Sequence, residues 1–322
     1  MFRGDHVQWI FCPYRVNTLN PTALSYPFLR HEFLQALEDS GSACDTSGWY
    51  PVHLSLQNSN QSEEHDPTTS SEAKNAALMP LYVKTHSMGE YVFDHAWANA
   101  YARYGLDYYP KWLIGIPYTP VTGPRLLAAD DDLRRRLLDG MIAEATRNQW
   151  SSVHVNFPPE RESGAFSPEW LARYDVQFHW RNRGWKDFPE FLAALQPKKR
   201  KNIRQERAKV RDAGYRFHQL HGDELGETEL LAMYAFYTRT FDAYGNAAAL
   251  TLDFFRHLAD TMPKQLLIIL AEREGSIRAG ALFLRGSDTL YGRYWACEQE
   301  FDCLHFEACY YQGIEFCIEH GI

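Results

Sequence analysis

The stretch PKKRKNIRQERAKVRDAG, residues 197–214, carries both ends of a helix in its letters. Proline suits a first helical position, where its missing N–H costs nothing, and glycine suits the left-handed position just past the end. Between Pro197 and Gly214, eight cations (Lys198, Lys199, Arg200, Lys201, Arg204, Arg207, Lys209 and Arg211) are set against Glu206 and Asp212, in a chain whose net charge is -8. With 3.6 residues per turn, Arg200, Arg204, Arg207 and Arg211 share one face, and Ile203 and Val210 share another. The segment therefore predicts an anchored helix, 197–213, that presents a strip of cations. Positive charge concentrated on one anchored helix of an acidic chain points to a phosphate-bearing ligand. Two plainer readings stand beside it. The strip is a solvated helix surface, or PKKRK is a basic nuclear address, a role that a capped, periodic helix serves poorly.

Working outward, DFPEFLAAL predicts a short helix capped by Asp187, ahead of the basic one. Behind it come a strand at 215–220 and helices at 227–243 and 252–262. A three-stranded meander follows, 266–273, 277–285 and 289–296, turning at Glu274-Gly275 and Gly286-Ser287-Asp288, and a last helix runs over 304–320. Toward the N-terminus, Ser25 and Pro27 open an amphipathic helix, 49–56 and 77–84 alternate as paired strands, and 57–75 is a polar segment expected to be a disordered loop. GEYVFDHAWANAY predicts a short strand entering a helix that carries Trp97, Tyr101 and Tyr104. Further strands are expected at 113–117, 152–157 and 176–182, with a helix at 130–148. Each half then offers helices, a meander, and an aromatic-rich segment entering a helix. The expectation is an α+β chain of two similar units, 1–183 and 184–322, each a mixed, mainly antiparallel sheet flanked by helices.

The chain has 322 residues, 45% of them hydrophobic and 23% charged, which is a globular composition long enough for two domains. It contains no run of eighteen apolar residues to span a membrane and no secretory pattern at its start. The six cysteines form no CxxC pair, so a reducing, cytoplasmic setting is expected rather than a disulfide framework. The acidic balance argues against a dedicated nucleic-acid coat protein.

The basic stretch, the helix and meander after it, and RYWACEQEFDCLHFEACYYQGIEFCIEHG together resemble the FemAB-like proteins of the acetyltransferase-fold superfamily. So do MPLYVKTHSMGEYVFDHAWANAY and PYTPVTGPR, and the likeness covers nearly the whole chain. The resemblance implies two tandem acetyltransferase-like (GNAT-fold) domains and transfer of an acyl or aminoacyl group to an amine. The donor it implies is an aminoacyl-tRNA or an acyl-CoA. The acceptor is a nucleotide-linked peptidoglycan precursor, and the reaction lies in a cleft between the domains near residues 293–311. Two departures stand out. The Arg/Gln-x-x-Gly-x-Gly/Ala turn that cradles the coenzyme A pyrophosphate is missing after the meander. Related chains also continue past the last helix, so Ile322 is expected to be a truncated end.

Acyl transfer to an amine needs positioning, a base and help for the developing oxyanion. Asp302, His305 and Glu307 sit where the loop meets the last helix, a place that disfavours a charged imidazole, so His305 is a candidate base. Glu307 is a candidate base or acceptor-orienting carboxylate, and Tyr310 a candidate proton donor, with Tyr311 beside it. The plainer reading is that Asp302 and Glu307 complement the helix dipole and His305 caps the helix. Arg293 joins Lys198, Lys199, Arg200, Arg204 and Arg207 as a candidate phosphate contact. In the first unit Asp94, His95, Trp97 and Tyr101 are candidates for an acceptor cleft, against a plainer reading of Trp97 and Tyr101 as core, and Lys84 and Arg125 are further candidate anion contacts. Cys297, Cys303, His305 and Cys309 match no common zinc spacing, and His31-Glu32 lacks the second histidine of HExxH, so no metal is expected. The same fold without catalysis would be a binding module for cell-wall precursor or RNA, and with an unusual loop it would be a coenzyme A-dependent N-acetyltransferase.

Overall fold

In the computed structural model, residues 9–11, 25–57, 75–243 and 245–322 are described. The chain separates into two compact units, Met1–Arg173 and Tyr174–Ile322. The expected polar loop at 57–75 lies almost entirely outside the described residues.

Unit 1 contains β1 (Trp9–Phe11), α1 (His31–Asp39), β2 (Trp49–Pro51), β3 (Leu54–Gln57), β4 (Asn75–Met79), β5 (Leu81–Lys84), α2 (His95–Arg103), β6 (Lys111–Ile114), β7 (Leu127–Ala128), α3 (Asp131–Arg147) and β8 (Val153–Val155). The two expected strands, 49–56 and 77–84, do pair, but each is broken in the middle. The first half of one, β2, pairs with the second half of the other, β5, and β3 pairs with β4, so the hairpin is shared between two sheets, β1-β3-β4-β7 and β2-β5-β6-β8. Pro80 lies at the break between β4 and β5, where a residue with no N–H interrupts a ladder at no further cost. β6 and β8 run parallel, and all other pairs in this unit are antiparallel. Leu54, Leu56, Met79, Leu81, Trp112 and Ile114 from the strands pack against Leu137, Leu138 and Met141 of α3. Asp130 begins α3 by accepting from the Leu133 amide.

Unit 2 contains α4 (Phe188–Ala193), α5 (Pro197–Asp212), β9 (Arg216–His221), α6 (Glu227–Ala243), α7 (Leu252–Thr261), β10 (Leu266–Arg273), β11 (Ser276–Arg285), β12 (Leu290–Cys297) and α8. The last helix, α8, runs in three joined pieces, Leu304–Phe306, a π turn Glu307–Tyr311, and Gln312–His320. The sheet is antiparallel in the order β12-β11-β10-β9. The first six residues of β10, Leu266 to Ala271, are buried in succession, the mark of a strand covered on both faces. On one face Leu267, Ile269 and Phe283 meet Ala308 and Phe316 of α8. On the other, α6 comes so close that a Cβ on Gly280 would lie 2.7 Å from Met233 Sδ. The alternating residues 176–182 form no strand: Val176 and Phe178 are exposed, and among the described strands none pairs with them. Alternation marks a strand only where a free edge is available to receive it.

Candidate functional site

Helix α5 forms as its sequence predicts, with Pro197 at its first position and Gly214 at φ +88° just beyond its end. Val210 is fully buried and Ile203 packs against the α4 cluster, so the helix is anchored along one side. Arg207 is committed to α8. Its Nε donates to both oxygens of Glu307 at 3.1 Å, its Nη2 donates to Glu315 at 2.8 Å, and its carbon lies 4.5 Å from the Phe188 ring centre. Glu307 is 3% exposed and also accepts from Gln312 at 2.8 Å. Two carboxylates around one guanidinium hold Arg207 charged and raise its already high pKa despite burial. Lys209 pairs with Asp302, and Tyr311 donates to Glu206. These contacts fix the basic helix against the start of α8.

The remaining cations of α5 divide by position. Lys198, Lys199, Lys201 and Arg204 are exposed, Arg200 donates to the Ala193 carbonyl, and Arg211 pairs with Asp212 on its own helix. Arg204 lies one turn before Arg207 on the same face. On the other side of the joint, α8 opens with an exposed group of rings. His305 stands 5.7 Å from Tyr310 and 5.4 Å from Trp295, and Phe306 stands 5.5 Å from Tyr310 and 6.5 Å from Tyr311. Phe306 and Tyr310 are 53% and 51% exposed. Desolvation among these rings lowers the His305 pKa, which favours a neutral imidazole able to take a proton at neutral pH. Cys303, immediately before the helix, holds a left-handed φ of +70°, a conformation that costs a residue with a Cβ about 1–2 kcal/mol. Arg293 lies over the Tyr294 ring at 5.4 Å. Thus the structure groups His305 with Tyr310 on α8, leaves Arg204 exposed on α5, and pairs Glu307 and Asp302 with cations of α5.

In unit 1 the candidates Trp97 and Tyr101 lie on α2, which buries none of its residues; Trp97 is 50% exposed and Tyr101 meets Tyr108 ring to ring at 5.1 Å. Asp94 is buried, accepting from Lys111 at 2.6 Å and from the Tyr108 hydroxyl at 2.8 Å, contacts that hold its pKa at about 2 in spite of burial. Arg125 is fully buried and spends its N–H groups on the backbone carbonyls of Val121, Gly123, Pro124 and Asn156, so it braces its own loop rather than meeting an anion.

Sequence reasoning passed over the partner of Asp94. Lys84 and Lys111 end β5 and open β6, sit directly opposite each other in the ladder, and are both fully buried. Lys111 donates to Asp94, to Glu90 at 3.1 Å and to Ser87 at 3.0 Å. Lys84 has the Met88 carbonyl at 3.3 Å and the Trp49 ring centre at 3.8 Å. Burial drives the Lys84 pKa down to about 7, raises that of Glu90, and lowers that of His154 to about 4. The sequence marks Lys84 only as a candidate anion contact and Lys111 not at all; only the register shows that the two coincide.

Among the described residues, no His, Cys, Asp or Glu group of three or more is arranged to hold a metal ion, and no helix is long and apolar enough to cross a membrane. Residues 7–322 match the model of the FemAB-like family, described as peptidoglycan biosynthesis/recognition. No curated protein matches the chain. Among solved structures, FemX is 10% identical with a TM-score of 0.47, over 90% of this chain and 80% of that one. A conserved protein of unknown function from Bacteroides thetaiotaomicron is 11% identical with a TM-score of 0.46, over 93% of this chain and 81% of that one.

Proposed function

The chain belongs to the FemAB-like family, and from that premise we propose that it is an N-acyltransferase or aminoacyltransferase whose acceptor is an amine of a peptidoglycan-precursor-like molecule. The proposal includes two tandem acetyltransferase-like units, with the donor, an aminoacyl-tRNA or acyl-CoA, held on unit 2. The observation that carries it is the joining of α5 to α8. Arg207 is locked onto Glu307 and Glu315, so the helix that bears the exposed cations Lys198, Lys199 and Arg204 and the partly exposed Arg200 is fixed to the helix that bears the rings of His305, Phe306 and Tyr310. Cations beside exposed rings suit a ligand that carries both phosphates and bases, because rings stack on bases while Lys and Arg meet the backbone. His305, kept neutral, takes the proton released as the amine attacks, and Tyr310 returns one to the leaving group. Arg293 serves as a further phosphate contact, and Asp302 and Glu307 act by holding α5 in place.

A second reading, a recognition module without catalysis, draws on the same geometry, since Glu307 is consumed by Arg207 and Gln312. Transfer of a radiolabelled acyl group separates the two. Product from aminoacyl-RNA or from acyl-CoA with an amine acceptor is expected; saturable binding of both partners with no product would leave the recognition module.

A further inference from the structure

The loop 87–94 between β5 and α2 is bent back on itself at three left-handed residues, Gly89 at φ +77°, Tyr91 at +59° and Phe93 at +50°. Two of the three carry side chains, and non-glycine residues persist in that region only where their surroundings enforce it, commonly over functional sites. The loop has two sides. Met88, Tyr91 and Phe93 are exposed, while Glu90 and Asp94 turn inward onto Lys111 and the Met88 carbonyl covers Lys84. Beneath it the polar groups are unevenly served. Lys111 has three partners, but Glu90 Oε1, on a side chain 2% exposed, has no hydrogen-bond partner among the described residues, and neither has Trp49 Nε1. A buried acceptor left open beside an amine is costly unless something occupies it. The groups around Lys84 are Trp49 from β2, Lys111 from β6, His86 just before the loop, and Glu90 and Asp94 from the loop.

We propose that the loop 87–94 closes over a second chemical centre, at which Lys84 is the proton acceptor for a primary-amine acyl acceptor and Glu90 Oε1 orients that amine. The inference rests on the acyl-transfer reading above. The incoming ammonium gives one proton to the neutral Lys84 amine. The freed amine attacks the carbonyl carbon of an acyl ester or thioester; the C–N bond forms as the bond to the leaving oxygen or sulfur breaks, and a second amine proton passes to that leaving atom. Burial above all, and the charge of Lys111 opposite it, weaken the hold of Lys84 on its proton. Access runs through the loop, whose exposed Tyr91 and Phe93 offer apolar surface to the rest of the acceptor.

The test is trace acetylation of the full chain with acetic anhydride across pH, read lysine by lysine by mass spectrometry, with methylammonium as the probe and exposed Lys201 as internal reference. Lys84 is expected to react with a midpoint near its pKa of about 7, roughly three units below an ordinary lysine. Methylammonium should slow Lys84 without slowing Lys201, and Glu90→Gln should abolish that protection. A Lys84 that titrates together with Lys201, or equal slowing of both, overturns the assignment in the unmodified protein, whatever the variant does. Loss of this pattern with transfer product still formed would remove the Lys84 centre and leave the acyltransferase standing. The pattern without transfer from any donor would remove the acyltransferase and leave an amine site beneath the loop.

Discussion

The two units handle positive charge in opposite ways. On α5 eight cations are gathered in plain view, and most of them stay exposed or meet acids in the open, as Lys209 meets Asp302 and Arg211 meets Asp212. In unit 1 two lysines are hidden completely, and among the described residues the carboxylates are shared unequally, two to Lys111 and none within bonding distance of Lys84. An exposed cation keeps its charge because water pays nothing to stay; a buried one keeps it only through its partners. Conspicuous charge is therefore set by solvent, whereas hidden charge is set by its neighbours.

The largest expected effect falls on the hidden pair. Lys111→Met leaves Glu90 and Asp94 buried without their cation, and breaking such a pair costs about 3–5 kcal/mol. Chemical unfolding followed by circular dichroism should register it. Lys84→Met should behave in the opposite sense, neutral or stabilising, because it removes a buried ammonium that has no carboxylate of its own. Equal destabilisation by both variants would show the two lysines to be equivalent and end the contrast.

The same asymmetry sets a pH dependence. His154 and Lys84 both have folded pKa values below their ordinary ones, about 4 and about 7. The unfolded chain therefore binds more protons than the folded one between about pH 4 and 6.5 for His154, and between about pH 7 and 10 for Lys84. Stability should rise with pH through each window, by at most about 1.4 kcal/mol per pH unit. Asp94 acts at the acid end, where its depressed pKa supplies stability above the ordinary carboxylate range that is lost as pH falls toward about 2. Thermal unfolding in matched buffers from pH 4 to pH 9 tests this; a melting temperature that falls on going from pH 7 to pH 9 would contradict the Lys84 assignment.

The joint between α5 and α8 comes next in size. Glu307→Ala strands a partly exposed Arg207, which keeps Glu315, and also frees Gln312, so a loss of about 1–3 kcal/mol is expected. Lys209→Ala, at a pair wholly in solvent, should leave the melting temperature unchanged. A loss from Lys209→Ala as large as that from Glu307→Ala would mean the joint is held by surface charge instead of by the buried carboxylate.

The strength of local signals decided what the sequence made legible. Pro197 and Gly214 delimit α5, Asp130 and Asp187 cap their helices, and the Gly-containing turns delimit the meander of β10 to β12, each through residues a few positions apart. The paired strands of unit 1 were legible as partners but not as halves of two sheets, because the break at Pro80 takes its meaning from which edge each half joins. Asp94 was legible as a candidate from its place ahead of α2, but the Lys84–Lys111 pair was not. It depends on β5 and β6 meeting in register across 27 residues of chain, a non-local fact that no periodicity encodes. On α8, the positions of His305 and Glu307 at the loop-to-helix junction were legible, while the engagement of Glu307 by Arg207, 100 residues earlier, was not.

The smallest effect on stability, and the sharpest on ligand, belongs to Arg204. It shares a face with Arg207 but makes no ion pair among the described residues, and it is exposed. Arg200→Ala with Arg204→Ala should leave unfolding almost untouched, since exposed cations contribute little to the fold. The double variant should weaken binding of an RNA or nucleotide-linked probe and flatten the slope of log affinity against log salt by about 1 per lost phosphate contact. Titrations at several salt concentrations read that slope directly. Weaker binding with an unchanged slope would point to a lost shape contact rather than a lost phosphate, and unchanged affinity would return α5 to the status of a solvated surface. The hidden lysines offer a control, because Lys84→Met should leave this slope alone while altering the pH profile of transfer. Separation of the two readouts is what the contrast between displayed and hidden charge demands.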